Sequence, residues 1–554
     1  MRFSPFQIRA TAALALLTLV APFCAPAAKA QTSNEVAVVS IAPLDRTLDD
    51  ITYLMGAANV PEFGGIFSMM AVPYTQGIDK TKPIGATVTL ENGMPNAVIF
   101  MPMTDVEVFF DALAGFGVDP EGLGDGLYEI DMNGQSVYAK DQDGWMFVGQ
   151  TEDSLASVPA NPAALLGDLP KTYDLAVRVN LQNLPADVKD MAIEQIRAGY
   201  EQAMAMQPDL TEAQRAQNAA AGEASIEQME IMMDETEKLV FGWAISEEDQ
   251  RTFMDGGMQF MEGSKLATQI SAAANVTSKY AEFILPGASA KFRATSEIAE
   301  SEREMAKTSF RNSFNQASAQ MDNGNLPPEA QEVVDELMAS IAELMDKTID
   351  DGVFDGAGSV SVAGGKLRVL MGGVIADGNA LADAFKKLAS QVPEGAPNAP
   401  TFEFDYETYQ GVTLHRVVID APLPNPNLAD ALGQPITVTI GTGEKSFLIS
   451  FDPEGDAAAK AAIDGLQSAE AAKVTPFEGV VSLTSFLEFA QSLSPNPMLE
   501  NAIATMGEYS GKDKLQVSTR IIPRGMLYRF SVDEGVMKAI GEAAKSGAGG
   551  GGGF

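Results

Sequence analysis

Cysteine is nearly missing from this sequence. The only one, Cys24, lies in an N-terminal leader, so the chain beyond residue 30 can build no disulfide and no thiolate zinc or iron-sulfur site. Histidine is equally scarce: His415 stands alone, and a Ser-His-Asp triad would have to use it. Neither a Gly-x-Ser-x-Gly elbow nor a Ser-x-x-Lys motif supplies a nucleophile, which argues against serine hydrolysis. Basic residues are few, 37 against 75 acids, for a net charge of −38. A charge of that sign excludes nucleic acid and anionic lipid surfaces as natural partners and favours solubility and cation association. With 2 tryptophans and 11 tyrosines, the aromatic platforms of a sugar cleft are poorly provided. No run beyond the leader reaches the roughly 18 apolar residues of a membrane-spanning helix.

The leader itself is informative. Arg2 and Arg9 precede the largely apolar run Ala12 to Val20, and Ala28-Lys29-Ala30 forms a small-residue cleavage site before Gln31. This is the pattern of a secretory signal peptide, so the protein is expected in the periplasm, outside the cell or associated with the envelope. Pro22 and Phe23 stand where a lipid-anchored Cys24 needs small residues. The leader holds Arg2, Arg9 and Lys29 and no acid, so its removal makes the chain more acidic still.

Hydrophobic residues make up 46% of the sequence, which fits a globular core rather than an acidic disordered chain. Recurrent phrases organise that content. Val36 to Ile41, Leu175 to Val179 and Val480 to Leu483 are short apolar strands that each run into an amphipathic helix. A hairpin followed by a helix recurs as 84–101 with 104–114, 359–371 with 379–390, and 515–530 with 532–544. A third phrase, 136–150, resembles 436–451. The expected fold class is therefore α+β: repeated strand-helix and β-hairpin-helix modules forming antiparallel sheets that carry helices on one face. The domain expectation runs as follows: signal peptide 1–30; an N-terminal module 31–165; a middle module 170–350 with long helical insertions at about 185–235 and 296–351; a third module 352–470; a C-terminal half-module 475–545; and a disordered glycine-rich tail 546–554. The insertions read as helical pairs, turning near Pro208-Asp209 and at Asn323-Gly324-Asn325. Phe554 could end an outer-membrane barrel, but the residues before it read as helix.

The candidate chemistry is thin. His415 alternates on an apolar strand with Thr413 and Val417 and reads as a pairing residue. Gly441-Thr442-Gly443-Glu444-Lys445-Ser446 lacks the glycine before lysine that a phosphate loop needs and reads as a hairpin turn. Asp141-Gln142-Asp143-Gly144 opens like a calcium loop but lacks its third acid and its bidentate glutamate, so a turn is expected. Asp49-Asp50, Glu247-Glu248-Asp249 and Asp350-Asp351 read as solvated charge runs. Nine methionines, Met191, Met204, Met206, Met229, Met232, Met233, Met254, Met258 and Met261, lie in and just after the first helical insertion. They suit a helical core, an adaptable apolar groove or, least of all, copper(I).

No catalytic residue or cofactor site is assigned, and a metal site stays open, with weak divalent cation association by the acidic surface. The leading expectation is an exported protein that binds or scaffolds without catalysis, using a sheet face or the methionine-bearing helices to engage a protein partner, an apolar ligand or an envelope polymer. The alternative is a carboxylate-based hydrolase, with or without a divalent cation, acting on an extracellular polymer through two buried acids of perturbed pKa.

Overall fold

The computed structural model describes residues 35–91, 93–115, 117–132, 135–206, 212–300, 303–304, 306–311, 314, 328–392, 399–420, 422–423 and 425–549. The expected signal peptide and the turns expected at Pro208-Asp209 and Asn323-Gly324-Asn325 lie outside these residues. Strands and helices are mixed throughout and the sheets are antiparallel, an α+β architecture. The chain divides into two compact units, one running through Tyr53 and again over Glu62–Ile245, the other made of Leu54–Pro61 and everything from Ser246 onward.

Among the described residues the first unit contains nine strands: β1 (Glu35–Ile41), β2 (Ile84–Glu91), β3 (Met94–Pro102), β4 (Pro120–Gly124), β5 (Leu127–Met132), β6 (Gln135–Gln142), β7 (Trp145–Gly149), β8 (Leu175–Asn180) and β9 (Thr236–Ser246). Their spatial order is β9-β8-β1-β2-β3-β7-β6-β5-β4, every pair antiparallel. Helices of nine residues or more here are α1 (Leu44–Ala57), whose last turn enters the second unit, α2 (Pro61–Tyr74), α3 (Val106–Ala114), α4 (Ala186–Ala205) and α5 (Glu212–Glu235). Asp105 starts α3 by accepting the Val108 backbone N–H at 3.0 Å.

The expectation of helices on a single face is corrected here. Trp145 and Phe147 pack one side of β7 with Leu155 and Leu166, while Met146 packs the other with Phe109 and Phe110 of α3. A strand that is apolar at consecutive positions must be covered on both sides. Helices α4 and α5 pack along each other, with Ile193 and Ile226 buried and the Tyr200 ring lying where a side chain on Gly222 would stand.

The second unit holds β10 (Arg251–Phe260), β12 (Ala290–Glu297), β13 (Val353–Ser361), β14 (Arg368–Val374), β15 (Thr401–Tyr409), β16 (Val412–Ile419), β17 (Ile436–Thr442), β18 (Ser446–Phe451), β20 (Phe477–Ser482), β21 (Lys514–Ile522) and β22 (Gly525–Asp533). A separate two-stranded pairing joins β11 (Thr277–Ser278) to β19 (Ala472–Lys473). The main sheet runs β10-β22-β21-β20-β12-β13-β14-β18-β17-β16-β15, again wholly antiparallel. Its helices are α6 (Lys265–Ala273), α7 (Pro328–Asp350), α8 (Gly378–Gln391), α9 (Ala457–Ser468), α10 (Leu483–Leu493), α11 (Pro497–Gly507) and α12 (Glu534–Gly549). Ser264, Asp377 and Asn496 cap α6, α8 and α11 through their side-chain oxygens.

Two cores lie on opposite faces at one end of this sheet. Leu344, Leu381 and Phe447 pack beneath α7 and α8, and Leu370, Leu414 and Leu448 pack against Ala459 and Ile463 of α9. At the other end α6 seats Ala267 and Ile270 on Met258, Ile521 and Met526. Helix α12 continues past Ser546 into the expected tail, ending at Gly549. The last turn of α1 and the turn after it are held by α12: Lys538 Nζ donates to the Gly56 carbonyl at 3.1 Å, and Asn59 donates to the Glu542 carboxylate.

Candidate functional site

Strand register in the second unit sorts side chains onto two faces of contrasting chemistry. Thr252, Met254, Gly256 and Met258 of β10 lie across from Val532, Phe530, Tyr528 and Met526 of β22. Those four lie across from Leu515, Val517, Thr519 and Ile521 of β21. Val517 in turn opposes Gly479 of β20, and Gly479 opposes Phe292 of β12. Over these five strands the face carries no Asp, Glu, Lys or Arg.

The opposite face of the same strands is polar. It presents Asp255, Arg529, Ser531, Asp533, Arg293 and Thr295, with Asp355 and Ser359 following on β13. Burial is the reverse of what solvent alone would choose: Asp255, Ser531, Asp533, Thr295, Asp355 and Ser359 are buried, whereas Met254 is 55% exposed, Tyr528 46% and Phe292 45%, with Val517, Phe477 and Phe530 also exposed.

Asp255, Asp355, Thr295 and Ser359 tolerate burial on the polar face because each finds a hydrogen-bond partner. Arg529 donates to both Asp255 oxygens, at 2.8 and 2.7 Å, and its guanidinium lies 3.7 Å from the centre of the Phe253 ring. The segment from β11 to Ser289 crosses this face and supplies backbone amides: Lys279 N–H reaches Asp355 at 3.3 Å and Leu285 N–H reaches Ser359 Oγ at 2.9 Å. Thr295 donates to the other Asp355 oxygen at 2.9 Å. Burial still pushes the Asp355 carboxyl above its ordinary range, the hydrogen bonds and Arg293 pulling the other way. On the apolar face, a groove of about 410 Å³ runs between α6 and the sheet, lined by Ile270, Phe477, Val517, Ile521, Met526 and Tyr528.

The first unit carries a comparable face. Leu175, Val177 and Val179 of β8 stand between Ala37, Val39 and Ile41 of β1 and Leu239, Phe241 and Trp243 of β9. Leu175 and Phe241 are exposed. On the same unit α2, Pro-Glu-Phe-Gly-Gly-Ile-Phe-Ser-Met-Met-Ala-Val-Pro-Tyr, leaves Phe63, Ile66, Phe67, Met69 and Met70 exposed.

The motifs singled out by sequence fall elsewhere. His415 is buried on β16; its Nδ1 accepts the Asp405 backbone N–H at 3.2 Å, so the ring proton sits on Nε2, 3.0 Å from Thr442 Oγ1. Asp405 occupies the left-handed region, φ 53°, inside a bulge of β15, and the imidazole holds that bulge. Burial lowers the His415 pKa. Gly441 to Ser446 is the β17–β18 connection, with Gly443 N–H bonded to the Ser446 carbonyl. Asp143-Gly144 is a two-residue hairpin turn with both φ positive, 54° and 77°. The methionines fall on different elements: Met191 to Met233 lie on α4, α5 and the residue after α4, whereas Met254 and Met258 are on β10.

Glu247, Glu248 and Asp249 are exposed, and Asp350 and Asp351 are exposed partners of Lys307 and Lys445. Asp50 departs from that pattern. It turns inward against buried Asp174, and Arg46 pairs with both, at 3.3 Å to Asp50 and 3.0 Å to Asp174. The second Asp174 oxygen accepts the Ile245 N–H at 2.7 Å. Desolvation, then the hydrogen bond and negative charge of Asp174, raise the Asp50 pKa to about 6.

A second concavity, about 500 Å³, lies beneath α9 with Phe283, Leu285 and Leu370. Its Asp452 and Glu454 are paired with Arg368 at 3.2 and 2.9 Å. Among the described residues no three His, Cys, Asp or Glu side chains are arranged to hold a metal, and no helix is long and apolar enough to cross a membrane. No family model, no curated protein and no solved structure matches this chain.

Proposed function

We propose that this is an exported binding protein, acting in the periplasm or outside the cell without catalysis, and that the open apolar face of the second unit is where its partner or ligand seats. One observation carries the reading: the sheet buries Asp255, Asp355 and Asp533 on one face and, beside α6, leaves Met254, Phe292, Tyr528 and Phe530 of its uncharged face in water. Contiguous exposed apolar surface of this kind marks interaction sites, and covering Met254, Phe292, Phe477, Val517, Tyr528 and Phe530 returns roughly 25 cal/mol for each Å² removed from water.

A tandem build supports the same reading. In the first unit the strand order β4-β5-β6-β7-β3-β2-β1-β8-β9 matches β15-β16-β17-β18-β14-β13-β12-β20-β21 in the second, step for step in sequence role. We read this as two diverged copies of one module set, each with helical pairs inserted after its first and later strands, and each presenting one apolar face.

The carboxylate alternative finds its best geometry in Asp50 and Asp174, but Arg46 and the Ile245 amide occupy their oxygens and tie them to the fold. Native mass spectrometry of the chain extracted gently from its own cells tests the binding reading. A reproducible added mass that disappears in Met254→Glu is expected; a bare monomer, unchanged by that substitution, counts against it.

A further inference from the structure

The chemistry of the open face narrows its occupant. We propose that it holds the acyl chains of a single lipid molecule whose headgroup carries no net charge; this rests on the binding reading above. A protein partner brings polar flanks, and specific protein interfaces carry about one hydrogen bond per 100–200 Å² with a polar rim. Across five strands this face offers only four hydroxyls, Thr252, Ser296, Thr519 and Tyr528, and Thr519 is buried. An acyl chain asks for none. Strands β22, β21 and β20 are each paired on both sides, so an extended peptide has no edge to join at the middle of this face.

Shape agrees with chemistry. A side chain placed on Gly256 would meet nothing within 4 Å, so the floor drops beside Tyr528. The groove of about 410 Å³ against α6 falls within the ~300–1,000 Å³ of small-molecule sites. Its walls include Met526, whose flexible thioether adapts to chains of differing length and unsaturation. Charge sets the headgroup: a chain of net −38 repels anionic lipid and fatty-acid carboxylate, and the face has no cation to offset that repulsion.

The test incubates the full mature chain with vesicles of phosphatidylcholine or phosphatidylglycerol, each carrying a fluorescent acyl group, and measures lipid on the reisolated protein by native mass spectrometry and fluorescence. Stoichiometric phosphatidylcholine uptake, at least tenfold above phosphatidylglycerol at low salt and at least tenfold lower in both Met254→Glu and Tyr528→Glu, is expected. Met254 is the most exposed of these residues, so its variant separates lost binding from lost folding. Equal uptake of both lipids overturns the headgroup assignment. No lipid uptake, together with a protein partner or self-association abolished by Met254→Glu, overturns the lipid inference and leaves the binding reading intact. No uptake, no partner and no effect of either substitution overturns both.

Discussion

Replacing Asp50 by Asn should stabilise the first unit, and do so in a pH-dependent way. Asp50 is held against Asp174, and its pKa rises from an ordinary 3.8 to about 6. At ~1.4 kcal/mol for each tenfold change in ionisation, the ceiling on the cost of keeping it charged is about 3 kcal/mol. Asp50 keeps 16% exposure and Arg46 35%, so solvent screening cuts that to about 1–2 kcal/mol.

The sign follows from linkage: an acid whose folded pKa is raised costs most above that value, and the cost shrinks as pH falls from about 6 towards 3.8. Asn keeps a donor for Asp174 and an acceptor for Arg46 while removing the charge. The two tryptophans, Trp145 and Trp243, both lie in the first unit, so intrinsic fluorescence during urea unfolding reports this region. Asp50→Asn should be more stable than the parent by about 1–2 kcal/mol at pH 7.5, with the gap roughly halved at pH 5. A variant less stable than the parent at pH 7.5, or a gap that does not change with pH, refutes the reasoning.

Other substitutions address the second unit. Arg529→Ala strips buried Asp255 of two charge-assisted hydrogen bonds and should cost about 3 kcal/mol, read as a lowered thermal midpoint in calorimetry; a change below about 1 kcal/mol would show the pair to be dispensable. His415→Ala should cost about 1–3 kcal/mol and speed amide exchange at Asp405, because the imidazole acceptor that holds the bulge is gone. In the parent protein, His415 has a depressed folded pKa, so its contribution is complete above the unfolded value of about 6.5 and declines as pH falls below it. Chemical denaturation of His415→Ala should therefore show a weaker acid limb than the parent. Gly378→Ala would place a Cβ 1.9 Å from the Gly443 carbonyl oxygen, and a loss of more than about 2 kcal/mol or a failure to fold is expected; normal stability would mean the β17–β18 connection yields freely.

Much of the secondary structure was legible because its signals are local. The hairpin-helix phrases reappear as β2–β3–α3, β13–β14–α8 and β21–β22–α12, and Asp143-Gly144 turns as its composition requires. The open face was not legible, although its period was. Leu515, Val517, Thr519 and Ile521 alternate with Gln516, Ser518 and Arg520, which identifies two faces but suggests that the apolar one is inside. Which face is covered depends on the segment before β12, whose amides satisfy Asp355 and Ser359 across more than 70 positions of sequence. Proximity along the chain groups Met254 and Met258 with the helices, while the alternation around them is the strand signal. Asp50 reads with Asp49 as surface because Asp174, its partner, is too distant in sequence to be seen.

Strand β10 is made early and completed late. Its partner in the second unit, β22, begins at Gly525, about 270 residues further on, so closing that pair carries the entropy of a very long loop and places it among the slow, non-local steps of folding. The hold of α12 on Gly56 and Asn59, at and just after the end of α1, is later still, since its donor and acceptor lie at Lys538 and Glu542. That sheet seam can therefore form only when almost the whole polypeptide is available to it.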